Sequence, residues 1–219
     1  VIPKDLDQIE KEGIVGMLAS SKEPDLAQAV EFSLADSKLL DEILKGMLSK
    51  NETYRYNCCK VLLKISSDAP QVLYPEWDYF IELMSSLNSY HRMAAVNIIA
   101  NLTRIDTENR FEGIFNQYFD LLDDKSMITA IYTAQNAGKI ATAKTHLRGK
   151  ITERLLAIDR THYPQDRKDL IKAGAIQSFE ELFTPSPDKE RILAFVKEQL
   201  DCQSPKTRKI ARNFLDTYG

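Results

Sequence analysis

The sequence predicts an all-α chain, a solenoid of about five helical hairpins, and three observations predict it. A phrase recurs: residues 55–65 (RYNCCKVLLKI), 92–102 (RMAAVNIIANL) and 130–140 (AIYTAQNAGKI) align, with starts 37 and 38 residues apart. Looser copies begin at Arg167 and Arg208. Periods of ~20–50 residues mark repeat architectures, in which each unit buries its apolar face only by stacking on its neighbours. Apolar residues inside the phrase fall at helical spacing, and strand signals are nearly absent, with no long alternating β-branched runs and 8 glycines in 219 residues.

Taken in order, residues 1–51 read as irregular N-terminal capping helices. Two or three helices fit there, over 6–20, 24–35 and 39–48. Terminal repeats are expected to be atypical because one side meets solvent. Residues 52–205 hold the repeats. In the second copy Ala94, Ala95, Ile98, Ile99 and Leu102 form one apolar face, and the small residues allow a neighbouring helix to come close. The fifth position after the opening residue is polar in every copy (Lys60, Asn97, Gln135, Lys172, Asn213) and is expected to point outward. The tenth is apolar in the three good copies: Ile65, Leu102 and Ile140.

Each phrase is followed by a second amphipathic segment, at 77–87, 111–122, 147–158 and 190–200. Trp77, Phe80, Ile81 and Met84 register with Phe115, Tyr118, Phe119 and Leu122, so Trp77 is expected in the core. Pro75 before Trp77, Ser186-Pro187 before residues 188–190 and Ser204-Pro205 before Lys206 read as helix starts. Residues 206–219 read as a C-terminal capping helix, and the whole of 1–219 as one solenoid domain.

Composition bounds the function. A hydrophobic share of 43% suffices for a packed core, and no run of ~18 apolar residues suggests a membrane span. The chain begins at Val1, not Met, which leaves room for residues upstream. Net charge is −3, placed unevenly: residues 1–143 hold 14 Lys/Arg against 21 Asp/Glu, and residues 144–219 hold 15 against 11. A pI near 5.7 argues against a dedicated DNA binder, although residues 206–212 (KTRKIAR) form a basic stretch. Cys58, Cys59 and Cys202 make no CxxC, and Cys58 and Cys59 align with Ala95 and Val96, so both read as small core residues in a reducing, cytoplasmic compartment.

The phrase RMAAVNIIANL resembles the first helix of a HEAT or armadillo-like repeat. AIYTAQNAGKI, with its Gly138-Lys139-Ile140 ending, is similar to short bacterial HEAT-like repeats. The resemblance covers roughly residues 52–219 and implies a right-handed superhelix with the second helices on its concave side. It departs at Ala130, where Arg is expected, and at Asp169 and Gly174, which are poor matches in the fourth copy.

No motif carries chemistry. His91, His146 and His162 form no HExxH, and none precedes a Glu, unlike the paired His-Glu motifs of HEAT-like iron hydroxylases. There is no phosphate loop and no nucleophile elbow. Asp123-Asp124 reads as a loop or cap, and Glu180-Glu181 as a solvated face. No catalytic, cofactor or metal residue is assigned. The candidate partner-binding residues lie off the core register of the second helices: Asp78, Tyr79 and Glu82, then Asn116, Gln117 and Asp120. This acidic-polar ladder suits a basic or hydrogen-bonding peptide. The expected function is a non-enzymatic protein-interaction scaffold, with another protein or peptide, not nucleic acid or membrane, as partner. The alternative is a HEAT-like DNA-repair enzyme of the alkylpurine glycosylase type, with Trp77, Asp78 and Tyr79 drawn into a groove.

Overall fold

Three of the first helices open on a side-chain cap that the sequence supplies. In the computed structural model, which describes residues 8–184 and 186–219 with side chains from residue 11 onward, all regular structure among the described residues is helical. Asn51 caps α4 (Glu52–Asp68) by accepting the Tyr54 N–H. Asn88 caps α7 (Ser89–Leu102), and Ser204, followed by Pro205, caps α13 (Pro205–Tyr218). A side-chain oxygen at this position satisfies one of the orphan N–H groups of a helix start.

The chain divides into two compact units, residues 1–77 and 78–219. In the first, α1 (Gln8–Ser20), α2 (Leu26–Ala35) and α3 (Ser37–Gly46) pack around α4. The expected start of α1 at Leu6 lies outside the described residues. Leu18, Ile43, Met47, Cys58, Leu62 and Ile65 are buried there. The Asn57 amide donates to the Leu18 and Ser21 carbonyls, tying α4 to the end of α1. A short α5 (Pro70–Leu73) and a 3₁₀ turn holding Pro75 lead into α6 (Trp77–Met84), and Trp77 is fully buried.

In the second unit, first helices alternate with second helices. The first helices are α7, α9 (Met127–Ala143), α11 (Gln165–Leu182) and α13, and each packs on the next. The second helices are α6 from Asp78 onward, α8 (Arg110–Asp120), α10 (Arg148–Leu156) and α12 (Lys189–Glu198). Ile98, Ile99, Leu102, Ile140, Phe111, Tyr118 and Phe119 fill the core, and the Tyr118 hydroxyl donates to the Val96 carbonyl at 3.0 Å.

The recurring arginine has a structural cause. Arg92 Nη1 donates to the carbonyls of Ser86 and Leu87, six and five residues back. Arg208 does the same to Cys202 and Gln203, and Arg55 reaches Ser49. The guanidinium thus satisfies carbonyls left over at the end of the preceding hairpin. Where Ala130 replaces the arginine, the equivalent carbonyl of Asp124 accepts the Tyr163 hydroxyl instead.

Three expectations need correction. The N–H of Arg55, Arg92, Ala130 and Arg208 each bonds the carbonyl four residues back, at the helix cap, and in the fourth copy Lys168 makes the equivalent bond to Pro164. Lys168, not Arg167, therefore holds the opening position. Lys172 is accordingly not outward: it is 3% exposed, with Nζ 2.7 Å from Asp159 and 5.5 Å from the centre of the Phe195 ring. Asp169 and Gly174 fit their sites well. The buried Asp169 carboxylate accepts the Gln203 N–H, and its carbonyl accepts the Thr207 hydroxyl, which docks α13.

Gly174 lets α11 lie against α9. A Cβ added there would sit 3.1 Å from the Ile131 carbonyl oxygen and 3.2 Å from Ala134 Cβ. Gly138 faces α11 in the same way, with a Cβ 3.1 Å from Ser178 Cα. We expect Gly174→Leu to overpack this contact and destabilise the chain by ~1–3 kcal/mol, read from the urea midpoint, with an unchanged midpoint as the contrary result.

Candidate functional site

Six residues were expected to form a polar ladder on the second helices. Asp78, Glu82, Asn116, Gln117 and Asp120 are exposed and Tyr79 is half-buried, its ring edge-on to Phe80 at 5.3 Å. The helical repeat puts them there, because the intervening Phe80, Phe115, Tyr118 and Phe119 turn inward.

Two acids of this ladder, Asp78 and Asp120, are bound by arginines from the next repeat. Arg110 of α8 donates to Asp78 at 2.6 Å. Arg154 of α10 donates to Asp120 at 2.9 Å and to Asn116 at 2.8 Å. Arg191 of α12 grips Glu153 with both terminal nitrogens and also reaches Asp188. The second helices are thus chained side by side by one recurring acid–arginine link. Separations of 32 to 38 residues hid these pairs from any local reading. Exposed links of this kind set register more than they stabilise. Glu82 and Gln117 lie between the links, and their side chains bond nothing among the described residues.

A cleft of about 650 Å³ opens beside the second and third links. Its floor is Phe119, Leu122, Leu156, Ala157 and Ile158, and its rim carries Arg154, Arg160 and Arg191 with Asp120, Asp123 and Glu153. The Arg160 side chain is exposed and makes no hydrogen bond or ion pair among the described residues, although its charge helps to hold the Glu153 carboxyl below its ordinary range after the larger effect of Arg191.

No family model matches the chain, and no curated protein matches it as a relative.

The histidines are tied down by partners that the sequence did not reveal. His162 Nδ1 lies 2.6 Å from Asp123, whose carboxylate also accepts the His162 N–H. His146 Nε2 lies 2.8 Å from Glu112. The buried His91 ring lies 3.0 Å from the Ser86 hydroxyl. Asp124 accepts the Ser126 N–H in the turn before α9 and binds Arg92. Glu180 and Glu181 are exposed on α11, and the latter accepts the Thr142 hydroxyl. Of the basic stretch, Lys206, Lys209 and Arg212 are exposed, while Arg208 is engaged by carbonyls. Among the described residues, no group of three or more His, Cys, Asp or Glu is placed to hold a metal ion, and no helix is long and apolar enough to cross a membrane.

Burial pushes the Cys58 thiol up to about 12 and the Cys59 thiol up to about 11, which keeps both protonated and unreactive at neutral pH. In native protein at pH 8, iodoacetamide is expected to alkylate these two cysteines only as fast as the chain unfolds. Labelling well ahead of unfolding, seen by peptide mass spectrometry, would contradict the packing described.

Proposed function

We propose that the chain is a non-enzymatic binding module, an α-solenoid of HEAT or armadillo type whose second helices carry the surface for a protein partner. The observation that carries this reading is the second-helix face of residues 78–219. Acid–arginine links fix its helices side by side, while Glu82 and Gln117 remain exposed and unengaged. A face with unengaged polar groups beside a part-apolar cleft suits protein recognition. The three free cysteines suit a reducing compartment, and the cytoplasm is the proposed location. The repair-enzyme alternative needs an aromatic surface against which an extruded base can stack, and Trp77 lies in the core instead.

Affinity capture from lysate tests the reading with three baits: the wild-type chain, Glu82→Arg/Gln117→Arg on the second helices, and Glu180→Arg on α11. A protein held by the first and third baits, lost from the second, and rebound as purified material supports it. A partner lost only from the α11 variant would move the binding face to the first helices.

A further inference from the structure

We infer that the partner segment is a short extended peptide of divided charge, with basic residues over α6 and α8, an apolar pair in the cleft, and acidic residues over α10 and Arg160. This deepens the proposed function and rests on it. Its basis is the distribution of charge along the second helices. α6 carries Asp78 and Glu82 and no base, so −2. α8 carries Arg110 against Glu112 and Asp120, so −1. α10 carries Arg148, Lys150 and Arg154 against Glu153, so +2.

The sign of the face therefore changes between α8 and α10, and the 650 Å³ cleft lies at that change. Internal bonding sharpens the contrast. Asp78, Asp120 and Glu153 are held by arginines, and Arg148 donates to the Ala141 carbonyl. The groups left for a ligand are Glu82 at the acidic end and Lys150 with Arg160 at the basic end, all exposed. Lys150, Arg154 and Ala157 share one face of α10 by their i, i+4 and i+7 spacing, so Lys150 looks toward the same side as the cleft wall formed by Arg154 and Ala157.

Complementary charge of this kind fixes the orientation and register of a ligand. Side-chain links join α6 to α8 and α8 to α10; at a helix spacing of ~8–10 Å the two steps would span roughly 20 Å. About six extended residues at ~3.3 Å each cover that distance.

The test uses three fluorescein-labelled peptides, KKSLFSEE, KKSLFSKK and EESLFSEE, titrated with the full chain at low salt and followed by anisotropy. The divided peptide is expected to bind about tenfold tighter than either uniform one, and added salt should reduce its advantage. Lys150→Glu/Arg160→Glu should transfer the preference to KKSLFSKK, and Glu82→Lys should transfer it to EESLFSEE. Melting curves confirm that each variant is folded. Equal binding of the three peptides, no binding at millimolar concentration, or preferences unmoved in the folded variants would overturn the inference. A captured protein that depends on Glu82 and Gln117, combined with no peptide preference, would leave the proposed function standing without this refinement. A peptide preference with no captured protein would do the reverse.

Discussion

Arg92→Met should destabilise the chain by about 3–5 kcal/mol, the usual cost of leaving one member of a buried ion pair without its partner. Arg92 and Asp124 pair through two 2.8 Å bonds, Nε to Oδ2 and Nη2 to Oδ1, with side-chain exposures of 4% and 7%. The same guanidinium satisfies the Ser86 and Leu87 carbonyls, so its loss strands a carboxylate and two backbone acceptors together. Asp124→Asn keeps an acceptor for the Ser126 N–H and should cost less. The double replacement Arg92→Met/Asp124→Leu should recover part of the loss, because no buried charge is left over. Urea unfolding of the three variants checks the order, and a single Arg92→Met shift below about 1 kcal/mol would contradict it.

Lys144→Met should have an effect of similar size, about 3–5 kcal/mol, for the same reason. Lys144 is 4% exposed at the end of α9, with Nζ 2.9 Å from Asp106, 2.7 Å from the Asp106 carbonyl and 3.0 Å from Asn109 Oδ1. The Asp106 carboxylate also accepts the Arg110 and Phe111 N–H groups and so starts α8. Asn109 takes a positive φ of 57°, a conformation that asparagine tolerates better than most residues. Removing the lysine should therefore loosen the start of α8 first, with faster amide exchange there than in α7. Uniform exchange across both helices would show that Lys144 does not hold this junction.

The all-α architecture was legible because the apolar face of each helix is local. Spacing of three and four residues gave both helices of each hairpin and placed Trp77, Phe115 and Tyr118 in the core, where they lie. The cap at Ser204 was legible for the same reason, since Ser204 accepts the Thr207 N–H. The one expected at Ser186 was not borne out: α12 starts at Lys189 after Asp188, and the Ser186 hydroxyl accepts the Asp188 N–H in the turn before it. The fourth copy was misread by one residue because Arg167 looks like the recurring arginine, whereas the helix-start hydrogen bond selects Lys168. Gly174 resembled a defect because its value lies in the helix that packs against it.

Charge was the least legible feature. Asp78, Asn116 and Asp120 showed as an acidic-polar row, yet their arginine partners come from the following repeat. A one-dimensional reading sees the row and misses what neutralises it. Between α6 and α10 the unengaged charges differ in sign, with Glu82 on the first and Lys150 on the second.

The most direct test of the binding face is site-specific photocrosslinking in cells. A photoreactive phenylalanine analogue is placed at Gln117 on the second helices, or at Glu180 on α11. Both positions are exposed, and neither side chain bonds another described residue. The account predicts a discrete crosslinked protein adduct from Gln117 and none from Glu180. An adduct from Glu180 alone, or none from either position, would contradict it.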